Sequence, residues 1–202
     1  VNLFTRPRRF GKTLNMSMLR YFLEDMHTIK GEPMDNRGLF EGLNIMQAGE
    51  SYLSHMGAYP VITLTLKAGR QSTFASAYRQ ITMQIGMEFE RHSYVLDSDL
   101  PDEMKERYKS ILSGHADMDI FKGSLQFLSH CLSYYYGKRA VLLIDEYDVP
   151  LENAFLCGFY DEMIDFIRAL FETVLKTNAG LEFAVISGCL RISKESIFTG
   201  LN

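Results

Sequence analysis

An α/β fold with a mainly parallel sheet flanked by helices is what this sequence predicts, and three observations predict it. Near the start, the apolar run Val1-Asn2-Leu3-Phe4 leads into the loop Thr5-Arg6-Pro7-Arg8-Arg9-Phe10-Gly11-Lys12-Thr13, and a helical pattern follows from Asn15 to Phe22. Much later, Ala140 to Ile144 is a continuous apolar run closed by Asp145-Glu146. Between and beyond these points, β-branched apolar runs alternate with amphipathic stretches of helical period, the pattern that builds parallel sheets.

The elements follow in order. Val1 to Phe4 reads as the end of a buried strand. In the helix after the loop, Leu14, Met18 and Phe22 recur at helical spacing with Leu19 and Leu23 beside them, and this stripe is expected to pack on the sheet. Gly31, Pro33, Asn36 and Gly38 are breakers, and Asn36 to Gly57 suits short helices joined by turns. Tyr59 to Leu66 is the second strand, with Pro60 at its tolerated first position. Phe74, Tyr78, Ile81, Ile85 and Phe89 mark the cleanest amphipathic helix. Pro101-Asp102-Glu103 opens another, ended by Gly114. Asp117 or Asp119 caps a third, striped by Phe121, Leu125, Leu128, Leu132 and Tyr135. These helices exceed what a minimal crossover needs and are expected as a helical insertion between the second and third strands. Ala140 to Ile144 is the third strand, and Tyr147-Asp148-Val149-Pro150 continues its loop. Phe159 to Val174 is a further helix, and Leu181 to Ile186 the fourth strand, ending in Ser187-Gly188. The Lys12 and Asp145 strands are expected near the centre of the sheet, with the Ser187 strand between them.

With 202 residues and 47% hydrophobic content, the chain can bury one sizeable core, so one domain over 1–202 is expected. A formal charge of −4 gives no global attraction to nucleic acid. No stretch approaches the ~18 consecutive apolar residues of a membrane span, and no signal peptide is visible. Cys131, Cys157 and Cys189 lack metal-ligand spacing and sit among apolar or small residues, which reads as buried free thiols in a reducing, cytoplasmic compartment. The chain opens inside a strand-like run without methionine and stops at Asn202 without a terminal element. It therefore reads as a fragment whose N-terminal segment and C-terminal domain are missing.

Two motifs carry chemistry. A strand, a loop ending in Gly11-Lys12-Thr13 and a helix form the context of a phosphate-binding P-loop. Loop N–H groups make an anion nest, and the helix N-terminus adds partial positive charge. Arg9, Phe10, Gly11, Lys12, Thr13 and Leu14 would cradle the phosphates, with Lys12 on the β- and γ-phosphates and Thr13 on Mg²⁺. Arg6 stands where the usual pattern has its first glycine. The second motif, hydrophobics followed by Asp145-Glu146 at a strand's C-terminal edge, is a Walker B pattern. Asp145 would hold Mg²⁺ and Glu146 would act as general base on the attacking water. Gly-Lys-Thr or Asp-Glu alone is common; both together, in order and in context, support each other. Asp148 reads as a metal or second-shell residue, or more simply as a solvated loop carboxylate. Ser187 is a candidate γ-phosphate sensor or a plain strand-end cap, and Arg191 a candidate cis arginine or a surface residue.

On these residues, and on Gly188 through Asn202 with Arg191-Ile192-Ser193-Lys194-Glu195-Ser196-Ile197-Phe198, the chain resembles the bacterial AAA-ATPase-like family of P-loop proteins over essentially its whole length. The Arg-Pro-Arg-Arg-Phe-Gly-Lys form is typical of that family, which is similar to the STAND and archaeal ATPase branches. The resemblance implies Mg²⁺-dependent binding and hydrolysis of ATP, and in many members a C-terminal PD-(D/E)XK nuclease-like domain, absent here. Two other readings stay open: a nucleotide-gated switch with little turnover, and a nucleic-acid-binding module using Arg6, Arg8 and Arg9.

Overall fold

The structure is a computed structural model describing residues 1–28, 32–67 and 69–189. In chain order the elements are β1 (Asn2–Thr5), α1 (Lys12–Leu23), β2 (Met26–His27), β3 (Pro33–Met34), α2 (Glu50–Leu53), β4 (Val61–Thr65), α3 (Phe74–Arg91), α4 (Asp102–Leu112), α5 (Met118–Lys122), α6 (Ser124–Tyr136), β5 (Ala140–Asp145), α7 (Val149–Cys157), α8 (Tyr160–Leu175) and β6 (Leu181–Gly188). Short 3₁₀ turns at Arg37–Phe40 and Asn44–Gln47 fill the segment between β3 and α2.

The four long strands form a parallel sheet in the order β1-β6-β5-β4. β6 lies between the Lys12 and Asp145 strands, as expected. β1 is an edge strand rather than a central one, and its residues alternate between exposed and half-buried. The predicted buried strand is therefore corrected, because nothing among the described residues pairs with its outer side.

Each face of the sheet has its own core. Ala184 and Ile186 of β6, Leu142 and Ile144 of β5, and Ile62 and Leu64 of β4 join the large cluster that includes α3 through α8. In α8, Met163, Phe166, Ile167, Leu170, Phe171 and Val174 are all buried at helical spacing. The opposite face carries the smaller cluster of Val61, Val141, Leu143 and Val185 under Met16 and Leu23 of α1. This corrects the α1 stripe. The helix packs over β5 and β4, so Leu14, Met18 and Leu19 turn outward and are exposed.

Two further helix expectations change. Asp117 caps α5 by accepting from the Ile120 N–H at 2.9 Å, but Gly123 then separates α5 from α6 where one helix was expected. The stretch after Asp148, expected as loop, is α7, with Pro150 in its first turn, where proline's missing donor costs nothing.

The outer side of β4 is sealed by charge. Parallel pairing turns Pro60 and Leu66 toward β5, so the backbone groups of Val61 and Thr63 face away from the sheet. The Thr63 N–H donates to Glu88 Oε1 at 2.6 Å, and the Val61 carbonyl accepts from Arg91 Nη2 at 2.6 Å. His92 Nε2 lies 3.2 Å from the same carbonyl. Arg91 also pairs with Glu24 at the end of α1, which Arg20 holds at 2.8 Å. Burial, reinforced by the Arg91 charge, holds His92 below its ordinary range and so neutral.

Among the described residues, no helix is long and apolar enough to cross a membrane. Cys131 is a fully buried thiol, pushed up to about 12 by burial, whereas Cys157 and Cys189 are half-buried rather than buried.

Candidate phosphate and metal site

The site forms where β1, β5 and β6 end together. Arg6 N–H donates to the Gly188 carbonyl at 3.1 Å, which ties the start of the loop to the tip of β6. The loop then turns through two left-handed residues, Arg9 at φ 69° and Gly11 at φ 72°, before α1 begins at Lys12. Glycine takes that conformation without penalty, whereas Arg9 carries a strain of about 1–2 kcal/mol. Gly11 offers no side-chain cap and the first turn of α1 holds no acid. The partial positive charge of the helix N-terminus is thus left for an outside anion.

Lys12 Nζ folds back onto the loop, donating to the carbonyls of Arg6 at 2.9 Å and Pro7 at 3.0 Å, and lies 3.3 Å from Cys189 Sγ. Thr13 Oγ1 donates to Asp145 Oδ2 at 2.6 Å. The two motifs, 132 residues apart, therefore meet through a hydroxyl and a carboxylate. The other oxygen of Asp145 accepts from the Glu146 N–H at 3.0 Å and from the Ser187 hydroxyl. Glu146 is left-handed at φ 57°, a kink that turns the chain directly after β5 and sets its half-buried side chain at the cavity wall. Strained non-glycine residues of this kind cluster at working sites.

Above these groups lies a cavity of about 540 Å³. Arg9, Gly11, Lys12, Thr13, Leu14 and Glu146 line it, together with Arg8, Lys67, Asp148 and Cys189. Arg8 reaches across its mouth to Glu152 at 3.7 Å, an exposed and weak pair. Not every expected residue faces this space: Asp145 borders the adjoining cavity, whose lining shares Thr13 and Lys67 with this one. Phe10 is exposed on the neighbouring surface, and Ser187 is buried behind Asp145, its hydroxyl committed to that carboxylate. Arg191 lies outside the described residues.

Asp148 departs from the expected solvated carboxylate: it is 1% exposed, and Oδ2 accepts from the Cys189 N–H at 2.9 Å. It ties the loop after β5 to the end of β6. That tie depends on Gly188, which the sequence analysis did not single out. A Cβ there would sit 2.6 Å from the Tyr147 ring and 2.7 Å from Asp148 Oδ1, both on buried residues. Gly188→Ala is expected to lower stability by about 1–3 kcal/mol, the usual cost of overpacking. A lower urea midpoint with an unchanged slope would show it; an unchanged midpoint would mean the loop gives way freely. The only signal in the sequence is a glycine at the tip of a strand.

The donor set fits Mg²⁺. Thr13 and Asp145 are hard oxygen donors, and Mg²⁺ is held in such sites by few protein groups together with phosphate oxygens. The described residues contain no cluster of three or more His, Cys, Asp or Glu that could hold a metal ion.

A 67-residue stretch is 40% identical to an uncharacterized protein in the vnfD 5' region of Azotobacter chroococcum mcd 1. The match covers 33% of this chain and 13% of that protein. No solved structure matches. Residues 1–198 match the predicted AAA-ATPase family, AAA-ATPase-like, and the chain belongs to that family.

Proposed function

We propose that the chain binds ATP with Mg²⁺ and hydrolyses it. Family membership implies nucleotide binding and an ATPase as the activity to test. The observation that carries the fuller reading is the contact of Thr13 Oγ1 with Asp145 Oδ2, since Thr13 also lines a cavity with Lys12 and Glu146. Thr13 and Asp145 would hold the metal, whose chemistry is to draw charge from the phosphate oxygens. Lys12 swings from the Arg6 and Pro7 carbonyls onto the phosphates. The loop N–H groups from Arg9 to Leu14 bind the same oxygens. Glu146 takes the proton of the attacking water, and its left-handed backbone fixes where that carboxylate stands. Ser187 acts through Asp145, its hydroxyl donating to and orienting the carboxylate that would hold the metal.

The test is single-turnover hydrolysis. Glu146→Gln keeps the shape and removes the base, so turnover is expected to fall about a hundredfold while ATP affinity holds. Undiminished turnover would remove the catalytic role and favour a nucleotide-gated switch, in which bound ATP is signalled to an effector elsewhere in a longer protein.

A further inference from the structure

Beside the phosphate loop, on the α1 side of the sheet, lies a largely apolar groove of about 900 Å³. Lys12 lines both this groove and the phosphate cavity, so the two spaces share a wall. Phe10, Arg6 and Asn15 stand at the shared end, Met18 and Leu19 form one side, and Val185 lies on the floor. α1 packs over β5 and β4 and reaches β6 only through Val185, so among the described residues the groove runs along α1 beside β6 and β1.

We propose that the end of this groove nearest the loop receives the nucleobase of the bound nucleotide. The inference rests on the nucleotide reading above and adds where specificity beyond phosphate arises. A polyphosphate seated on the first turn of α1 has two directions in which to extend. One side presents Glu146, Asp148 and Glu152, with Arg8 reaching to Glu152 across the mouth. That side suits metal and water rather than a flat heterocycle. The other side offers the exposed Phe10 ring and the Met18 thioether as apolar surfaces, with the Asn15 carboxamide between them on α1. Apolar walls with a few polar groups are how small-ligand sites bind and orient a ring. Asn15 is itself steadied by donating to the Gly11 carbonyl at 3.0 Å, so the polar group is tied to the phosphate loop. The exposed α1 stripe, which does not pack on the sheet, thereby acquires a use.

The experiment compares ATP with inorganic tripolyphosphate, each with Mg²⁺, by calorimetric titration of the wild-type chain, of Met18→Ser, and of Phe4→Ser, whose ring on β1 also lines the groove. Both side chains are substantially exposed, at 42% and 58%, so the variants should fold, and circular dichroism melts check this. ATP is expected to bind wild type at least about tenfold more tightly than tripolyphosphate, from apolar burial of the base. Met18→Ser should reduce that preference several-fold and leave tripolyphosphate affinity unchanged. Equal affinity for the two ligands in wild type overturns the base site while sparing the phosphate site. An unaltered preference in both variants also overturns it, and a concurrent change in sedimentation would then assign the groove to contacts with a second copy. Binding of neither ligand overturns the nucleotide reading and this inference with it.

Discussion

Lys12→Ala is expected to lower single-turnover ATP hydrolysis about a thousandfold, the upper range for losing one donor aimed at transition-state charge. The site has other cations, but they are poorly placed to replace it. Arg8 extends toward Glu152 at the mouth, Arg9 stands in the left-handed loop before the helix, and Lys67 follows β4. Lys12 alone among these opens α1, where the helix dipole and the loop N–H groups converge. Its present contacts are weak anchors. Two carbonyl oxygens and a thiol hold the ammonium through dipoles, and the two carbonyl bonds are exposed. Exchanging them for phosphate oxygens gains charge-assisted bonds at little cost. For the same reason the folded state loses little when the side chain is removed, so the melting temperature should stay within a few degrees of wild type. A variant that melts normally yet hydrolyses within tenfold of wild type would refute the role of Lys12.

The backbone pattern was legible because each strand has a local signature. Ala140 to Ile144 is apolar at every position, since β5 is central and covered on both faces. The Gly11-Lys12-Thr13 and Asp145-Glu146 motifs were legible because each depends on only a few adjacent residues. What the sequence hid depends on which face meets which neighbour. Leu14, Met18 and Leu19 have the spacing of a buried stripe, but α1 sits over β4 and β5, and only tertiary packing decides that. Val1 to Phe4 looks like an interior strand because nothing in its own residues reveals the missing partner. Asp148 looks solvated until β6 arrives beside it and donates the Cys189 N–H. Gly188 matters through atoms of Tyr147 and Asp148, some forty residues away, and one sequence cannot show such contact. Tyr147-Asp148-Val149-Pro150 reads as loop, yet Pro150 occupies the first turn of α7, and the residues after it carry no amphipathic stripe clear enough to mark that helix.

The two edges of the sheet are handled differently, and this bears on stability. An exposed strand edge invites pairing with other chains. Along β4 that hazard is removed by Glu88, Arg91 and His92, which bond its outward backbone groups. These residues fall on one side of α3 within a single turn and a half, and the Arg91 fork reaches both Glu88 and the Val61 carbonyl. Lysine could not reproduce that planar, multi-donor geometry. The network also joins the end of α1 to α3 through Glu24, so the helix that carries the phosphate loop is braced from its far end.

Arg91→Met should accordingly destabilise the fold by about 3–5 kcal/mol, the range for breaking a buried ion pair from one side. The loss comes less from the missing attraction than from what stays behind. Glu88, 6% exposed, would keep a carboxylate without its guanidinium, and Glu24, 4% exposed, would be left with Arg20 alone. The pH dependence separates this from simple loss of packing. Burial alone would raise the Glu88 carboxyl, but the Arg91 charge, with hydrogen bonds from His92 and Arg91, pulls it down to about 2. A folded value below the unfolded one, about 4.3, adds stability that is fully present above the unfolded value. That stability is lost as the pH falls toward 2. Wild type should therefore weaken between about pH 5 and pH 2. In Arg91→Met the deficit relative to wild type should shrink across that interval, because protonation relieves the stranded Glu88 carboxylate. Urea midpoints at pH 7 and pH 3.5 measure both effects. A deficit that is the same at the two pH values would mean that Arg91 contributes packing rather than charge.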